Sequence, residues 1–130
     1  MTDTLARAEL AGGLLVLTEQ LPALRSASIG VWVRTGSIRE QPAEMGVSHL
    51  LEHMVFKGTS RRNARDIALV LERLGGSLDA YTTREHTCFS ARVLDEHLDT
   101  AIDVLADLVL DPLLRAQDLE LEREVVLEEI

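Results

Sequence analysis

Gly46-Val-Ser-His-Leu-Leu-Glu-His-Met-Val-Phe-Lys-Gly-Thr59 is the stretch of this 130-residue chain that says most about its fold. The pattern predicts a helix from Ala43 to Phe56, and Gly58 ends it because glycine commonly follows the last turn of a helix. Residues four apart share a helix face, so His49 and His53 lie only about 40° apart around the axis. The opposite side of the helix carries apolar side chains: Val47, Leu50, Leu51, Met54 and Val55.

The face with the two histidines has the composition of a catalytic metal site. Neutral imidazoles are good zinc ligands, and a rigid helix holds them in register. Glu52 flanks the histidine pair and is placed to take a proton from water. A catalytic zinc normally has three protein ligands and one open position, so His49 and His53 need a third partner.

The last predicted helix, from about Leu114 to the end of the chain, supplies this partner. Its apolar residues define a buried arc: Leu119, Leu121, Val125, Val126 and Ile130. Glu122 and Glu129 fall inside the arc, whereas Glu120, Glu124 and Glu128 point away from it. Buried carboxylates are costly unless they are paired or bind a metal. We therefore predict Glu129 as the third zinc ligand and Glu122 as a catalytic-site carboxylate that supports a ligand.

Simpler interpretations exist for each of these residues. His-x-x-Glu-His would arise by chance in about one shuffled chain in a hundred, and a surface histidine pair is the commoner explanation where no third ligand is present. Here the apolar back of the helix, Glu52 and the inward carboxylates agree with a zinc site. His86 and His97 are interpreted as loop and surface residues. Cys88 lies in an alternating, strand-like segment and is interpreted as a buried structural thiol.

The rest of the chain predicts an α+β fold, with helices packed on one face of a mainly antiparallel sheet. Strands are predicted at Leu14–Thr18, Ser26–Thr35, Leu78–Thr82 and Thr87–Val93, with the last two forming a hairpin. Further helices are predicted from Asn63 to the Gly75-Gly76 stop, and from Asp95 to the Asp111-Pro112 stop. Residues 1–130 are thus expected to form one domain. The helical pattern at Ile130 has no stop signal, which predicts a longer protein.

Composition excludes several classes of function. A net charge of −9 argues against a nucleic-acid partner, because no basic surface would neutralise phosphates. No apolar run reaches the length of a membrane span. The single cysteine permits no internal disulfide, and residues 1–10 lack the features of a signal peptide, so a reducing, cytoplasmic location is predicted.

The chain resembles the N-terminal part of the insulinase and pitrilysin family, especially its processing-peptidase branch. His-x-x-Glu-His is the inverzincin signature. The likeness extends over nearly the whole chain: Gly30-Val-Trp-Val33, Thr35-Gly36-Ser37, Glu40, Gly46 to Thr59, Gly75-Gly76, Ala80-Tyr-Thr82, Glu85-His-Thr87 and Glu122 to Ile130. The family's third ligand is a glutamate at the spacing of Glu129, which lies 76 residues beyond His53. Its activity also depends on a glutamate seven residues earlier, matched by Glu122.

The resemblance implies a zinc-dependent endopeptidase that cleaves unfolded peptides inside a chamber formed by two similar halves. Expected partners are a peptide substrate, bound as an added strand at a sheet edge, and the C-terminal half of the protein or a homologous subunit. A dimer is compatible with this plan, and the fragment alone is expected to be inactive. The family usually has Asn where this chain has Asp79, so a substrate contact there stays open. The alternative function is a non-catalytic structural or assembly subunit. A structural zinc domain fits less well, because such sites usually hold four ligands and favour cysteine.

Overall fold

The computed structural model describes residues 4–129. Its strands are β1 (Leu5–Glu9), β2 (Leu15–Glu19), β3 (Ser26–Val33), β4 (Ser77–Thr82) and β5 (Thr87–Leu94). Its α-helices are α1 (Val47–Val55), α2 (Ala64–Val70), α3 (Leu98–Leu110) and α4 (Ala116–Glu128). None of the helices in this part of the chain is long and apolar enough to cross a membrane.

The strands form two antiparallel sheets. β1 and β2 pair as a separate hairpin, and the other three strands form a sheet in the order β3-β5-β4. The predicted β4–β5 hairpin and the α+β class are confirmed, but the strands divide between two sheets and β1 was not predicted. The segment from Leu5 to Glu9 is exposed along its whole length and has no β-branched residue, so neither composition nor alternation marks it as a strand.

The hydrophobic core lies between the three-stranded sheet and the helices. α3 packs against β3 and β5, and its buried Val104, Leu105 and Leu108 belong to the same core cluster as Phe89 of β5. α2 adds Ile67 to the same core, and a capping box between Asn63 and Asp66 begins this helix as predicted. The prediction that Cys88 is buried is confirmed, since only 1% of it is exposed.

Several predicted helix starts are displaced in the structure. α1 begins at Val47 rather than Ala43, because Gly46 takes a left-handed conformation with φ 92° and residues 42–44 form a 3₁₀ turn. α3 begins after a 3₁₀ turn at Asp95–His97, so Asp95 does not cap it. α4 begins at Ala116, since Leu114 has a positive φ of 49° that an α-helix does not permit.

An ionic network ties the segment after α1 to α3. Arg62 donates hydrogen bonds to Asp107 at 2.8 Å and to Asp103 at 2.9 Å, and the Thr59 hydroxyl donates to Asp107 at 2.7 Å. Hydrogen bonds from Arg61 and Arg62 lower the pKa of Asp103 from 3.8 to about 2. Burial alone would raise the pKa of Asp107, but the bonds from Thr59 and Arg62 outweigh it and lower the pKa below 3.8.

This network should make stability depend on acid pH. Asp107→Asn is expected to lower the free energy of unfolding by about 1–3 kcal/mol at pH 7, because it removes a buried charge partner of Arg62. The folded pKa lies below the unfolded value, so the unfolded state binds more protons as the pH falls below 3.8. The free energy of unfolding of the parent protein should therefore exceed that of Asp107→Asn by the full amount above pH 3.8, and this difference should shrink below pH 3.8. Urea unfolding across this range checks the expectation. The exposed Asp99→Asn on the same helix is the control, and a pH-independent difference for Asp107→Asn would contradict the mechanism.

Candidate metal centre

The N-terminus of α1 is held by a carboxylate from the preceding loop. Glu40 accepts hydrogen bonds from the backbone N–H groups of Gly46 and Ser48, both at 2.8 Å. The bond from Ser48 is the largest influence on Glu40 and keeps the pKa of its carboxyl below 4.5, against the opposing effect of burial. A negative group at this end of a helix also interacts favourably with the helix dipole. Glu40 therefore helps to set the position of the first turn of α1, where His49 lies.

Glu40→Ala is expected to destabilise the fold by about 1–2 kcal/mol, the usual effect of losing a helix cap. The measurement is urea unfolding of the metal-free protein, so that metal binding does not contribute. Glu44→Ala is a matched control, because Glu44 lies nearby on an exposed 3₁₀ turn. Equal effects of the two substitutions would show that the cap at Gly46 and Ser48 contributes nothing particular to stability.

The structure brings His49, His53 and Glu129 together. The Nε2 atoms of His49 and His53 are 3.1 Å apart, and Oε2 of Glu129 lies 3.2 Å from the first and 3.4 Å from the second. Within residues 4–129, these three form a group of His, Cys, Asp or Glu side chains close enough to hold one metal ion. The helix faces predicted from periodicity therefore meet in space.

The triangle of donor atoms has the dimensions that zinc requires. Zn–N and Zn–O distances of roughly 2.0–2.2 Å in a tetrahedron separate neighbouring donor atoms by about 3.4 Å. The three observed separations are 3.1–3.4 Å. A cation bound among them would stabilise two nitrogens and a carboxylate oxygen that converge this closely. The residues present fit a zinc ion with one coordination position left open.

Glu122 connects this triangle to the end of α1. It is only 5% exposed, its Oε2 lies 3.1 Å from Nδ1 of His53, and its Oε1 lies 2.6 Å from Nζ of Lys57. Burial alone would raise the pKa of Glu122, but hydrogen bonds from Lys57 and His53 hold it below 4.5. Because an ionised carboxylate only accepts hydrogen bonds, Nδ1 of His53 carries the hydrogen and Nε2 presents its lone pair to the triangle. Glu122 thus selects the tautomer of His53 that binds a metal.

Glu52 lies beside the triangle and is held by the sheet. The hydroxyl of Thr82, at the end of β4, donates to Oε2 of Glu52 at 2.5 Å. Thr82 also lies 3.4 Å from the hydroxyl of Thr87, which donates its own hydrogen to the carbonyl of Thr35 at 2.8 Å. The hydrogen of Thr82 is therefore directed to Glu52. This arrangement places the Glu52 carboxylate against the end of β4, in the same groove as His53.

A groove of about 300 Å³ runs between α1 and β4 past these groups. Its lining includes Glu52, His53, Lys57, Asp79, Ala80 and Glu122. In the sheet of the described residues β4 pairs only with β5, so its other edge is unpaired there, and Leu78, Asp79 and Ala80 of this strand line the groove. Asp79 is exposed on this edge strand.

The predicted buried arc of α4 was too broad. Glu122 and Val126 are the buried residues of the helix within the described range, whereas Leu119, Leu121 and Val125 are 39%, 67% and 42% exposed. Ile130 lies outside the described residues. Glu122 fits the predicted arc, but 46% of the Glu129 side chain is exposed, so the prediction that Glu129 is a buried carboxylate was wrong even though its Oε2 meets the histidines. α4 contacts α1 along a narrow stripe, and apolar composition alone does not show where a contact ends. Glu128 is exposed, as expected for the outward face.

The other histidines lie apart from the triangle. His86 is in the β4–β5 loop, where it contacts Tyr81 and Thr83, and His97 is in the 3₁₀ turn before α3. Lys57 and Thr82 were not predicted as contributors to the site. Lys57 follows His53 by four residues, as His53 follows His49, so helical spacing offered a signal for it. Thr82 had no such signal, because its contact with Glu52 forms only when β4 packs on α1.

A comparison with known protein families matches residues 15–130 to the family described as Insulinase (Peptidase family M16). The chain belongs to the insulinase family of peptidases. It is 54% identical over 124 residues to an uncharacterized zinc protease of Mycobacterium leprae, a match that covers 95% of this chain and 28% of that protein. It is 43% identical to the probable mitochondrial-processing peptidase subunit beta of Arabidopsis thaliana, covering 93% of this chain and 23% of that protein.

A solved structure of this fold comes from Helicobacter pylori. The crystal structure of a protease from that organism matches with a TM-score of 0.92 at 26% identity, over 98% of this chain and 31% of that chain. The insulinase-family chain thus spans less than a third of the length of these relatives. Relatives named zinc proteases, together with the donor triangle, support zinc as the metal.

Proposed function

We propose that this chain forms the zinc-binding part of an endopeptidase that cleaves unfolded peptides or small polypeptides. His49, His53 and Glu129 would hold the ion, Glu52 would act as the base, and Glu122 would support His53. The observation that carries the proposal is the triangle of donor atoms, with edges of 3.1–3.4 Å, next to a carboxylate base. Relatives named zinc proteases support the same reaction class.

Zinc, when bound, supplies a Lewis acid that activates water and polarises a carbonyl. Glu52 takes the proton from the attacking water, and its Oε1 is the receiving oxygen because Thr82 already bonds to Oε2. The same carboxyl can then deliver the proton to the departing amine, so that the base is regenerated. The bond from Thr82 keeps the Glu52 side chain directed at the groove throughout.

The edge of β4 is the proposed binding place for the substrate backbone. An extended peptide that adds to this edge exchanges main-chain hydrogen bonds with β4 and passes along the groove beside Glu52. This mode requires an extended backbone, which favours unfolded peptides over folded proteins. Asp79 lies on the same edge, and we assign no role to it.

The remainder of the protein, or a homologous subunit, is proposed to complete the substrate chamber. This is consistent with relatives that are more than three times as long as this chain. The isolated chain is accordingly expected to be a poor peptidase, and a cytoplasmic location stays a prediction.

The proposal is tested by cleavage of an unfolded peptide blocked at both termini, which only an endopeptidase can cut. We expect the intact protein to cleave it, to lose activity with a chelator, and to recover with stoichiometric zinc. His49→Ala should lose both zinc and activity, whereas His97→Ala, remote from the triangle, should keep both. Zinc binding without cleavage of any unfolded peptide would favour the non-catalytic subunit instead. A lack of zinc binding would refute the metal centre itself.

A further inference from the structure

The geometry points to Lys57 as a positioning residue of the metal centre, one that holds Glu122 against His53 and keeps α4 in register with α1. This inference rests on the proposed zinc site. Lys57 does not reach the donor triangle, so its effect passes through Glu122. The expected consequence is a higher affinity of the three ligands for zinc.

Glu122 uses both of its carboxylate oxygens, one toward Lys57 and one toward His53. Oε1 contacts Nζ of Lys57 at 2.6 Å, and Oε2 contacts Nδ1 of His53 at 3.1 Å. A carboxylate that is 5% exposed needs a compensating cation, and Lys57 provides it at the shorter of the two distances. With Oε1 held by the ammonium group, the carboxylate plane is fixed and Oε2 is directed at His53. The orientation and tautomer of this zinc ligand therefore depend on a residue outside the triangle.

Lys57 contacts α4 and its N-cap residue at two points. Its side chain reaches Glu122 in the middle of the helix, and its backbone carbonyl accepts a hydrogen bond from Nη2 of Arg115, the N-cap residue, at 3.3 Å. Arg115, Glu122 and Glu129 follow one another at intervals of seven residues, from the N-cap of α4 through its middle to its C-cap, and all three face the α1 side as one stripe. The facing stripe is formed by residues spaced by four: His49 and His53 of α1, and Lys57, which lies two residues beyond the end of that helix.

These two stripes run antiparallel, and polar or charged groups of one stripe face partners on the other at each step. From the start of α4 to its end, Arg115 meets the Lys57 carbonyl, Glu122 meets Lys57 and His53, and Glu129 meets His53 and His49. Lys57 makes the contacts at one end of this interface, and the zinc ligands make those at the other. Loss of the contact between the Lys57 side chain and Glu122 should let the middle of α4 shift relative to α1 and move Glu129 relative to the histidines, while the Lys57 carbonyl can still accept its bond from Arg115.

The test compares the zinc affinities of variants of the intact protein, measured by competition with a zinc-binding dye. Lys57→Met keeps the aliphatic stem but removes the cation, and we expect it to weaken zinc binding about tenfold, within the 10–100-fold range for residues that support metal ligands. Lys57→Arg should restore most of the affinity, because it returns a cationic donor. Arg61→Met, which removes an exposed ion pair with Asp103, should leave the affinity unchanged. Lys57→Gln replaces Lys57→Met if that variant does not fold.

A double-substitution cycle separates this role from a purely structural ion pair. If Lys57 acts through Glu122, adding Lys57→Met to Glu122→Gln should weaken zinc binding by less than about twofold further, because the effects of substitutions at interacting residues do not add. The Tm of each chelator-treated variant reports separately how much the substitution changes the stability of the metal-free fold. Unchanged zinc affinity in Lys57→Met, or full additivity in the double variant, overturns the inference and leaves the zinc site standing. Absence of zinc binding by the parent protein instead refutes the proposed function.

Discussion

Glu52→Gln should keep about one zinc ion per chain, while the rate of peptide hydrolysis falls about 10²–10⁴-fold, the range that general-base catalysis contributes. The amide has nearly the shape of the carboxylate and can still accept the hydrogen bond from Thr82, but it cannot take a proton from water. Glu52 is absent from the donor triangle of His49, His53 and Glu129, so the ligands stay in place. Zinc content by metal analysis and cleavage of a blocked peptide by the intact protein are the two measurements.

Glu85→Gln is the matched control for this experiment. Glu85 lies exposed in the β4–β5 loop, so its substitution removes the same charge away from the proposed base. It should leave both zinc content and hydrolysis near those of the parent protein. Wild-type rates in Glu52→Gln would mean that another group takes the proton. Loss of zinc in Glu52→Gln would mean that Glu52 belongs to the ligand set.

Glu129→Gln is expected to weaken zinc binding by more than about 100-fold, beyond the loss typical of a supporting residue, because it removes one of the three proposed protein ligands. Oε2 of Glu129 lies within 3.4 Å of both histidine nitrogens, so a single oxygen closes the triangle. A neutral amide oxygen is a much weaker partner for a dication than a carboxylate. Competition with a chelating dye measures the change.

Glu128→Gln, at the adjacent residue, is the control for Glu129→Gln. Glu128 carries the same charge but is exposed on the outward side of α4, so its substitution should change zinc affinity by less than about twofold. Equal losses in the two variants would indicate that the overall negative charge of α4, and not a specific oxygen, governs binding. A loss confined to Glu128→Gln would show that the end of α4 is rotated relative to the structure.

Much of the site could be predicted from the sequence because helical spacing is a local property. His49, Glu52 and His53 lie within five residues, and their shared face follows from the 3.6-residue turn alone. The same reasoning put Glu122 and Glu129 on the side of α4 that meets α1, but it overestimated the width of the buried face, since Glu129 is exposed. The insulinase resemblance is confirmed by the family match over residues 15–130.

The sequence by itself thus determined which side chains share a face, where most strands and helices lie, and which donor groups those faces carry. Tertiary structure decided what the faces meet. Only the packing of α4 on α1 brings Glu129 within 3.4 Å of His53 and joins Lys57 to Glu122 across 65 positions of sequence (57 to 122). Only the order β3-β5-β4 brings Thr82 to Glu52 and leaves an edge of β4 beside the groove. The physical reason is that turn geometry depends on neighbours in the chain, whereas these contacts depend on how distant surfaces fit together when the core is buried.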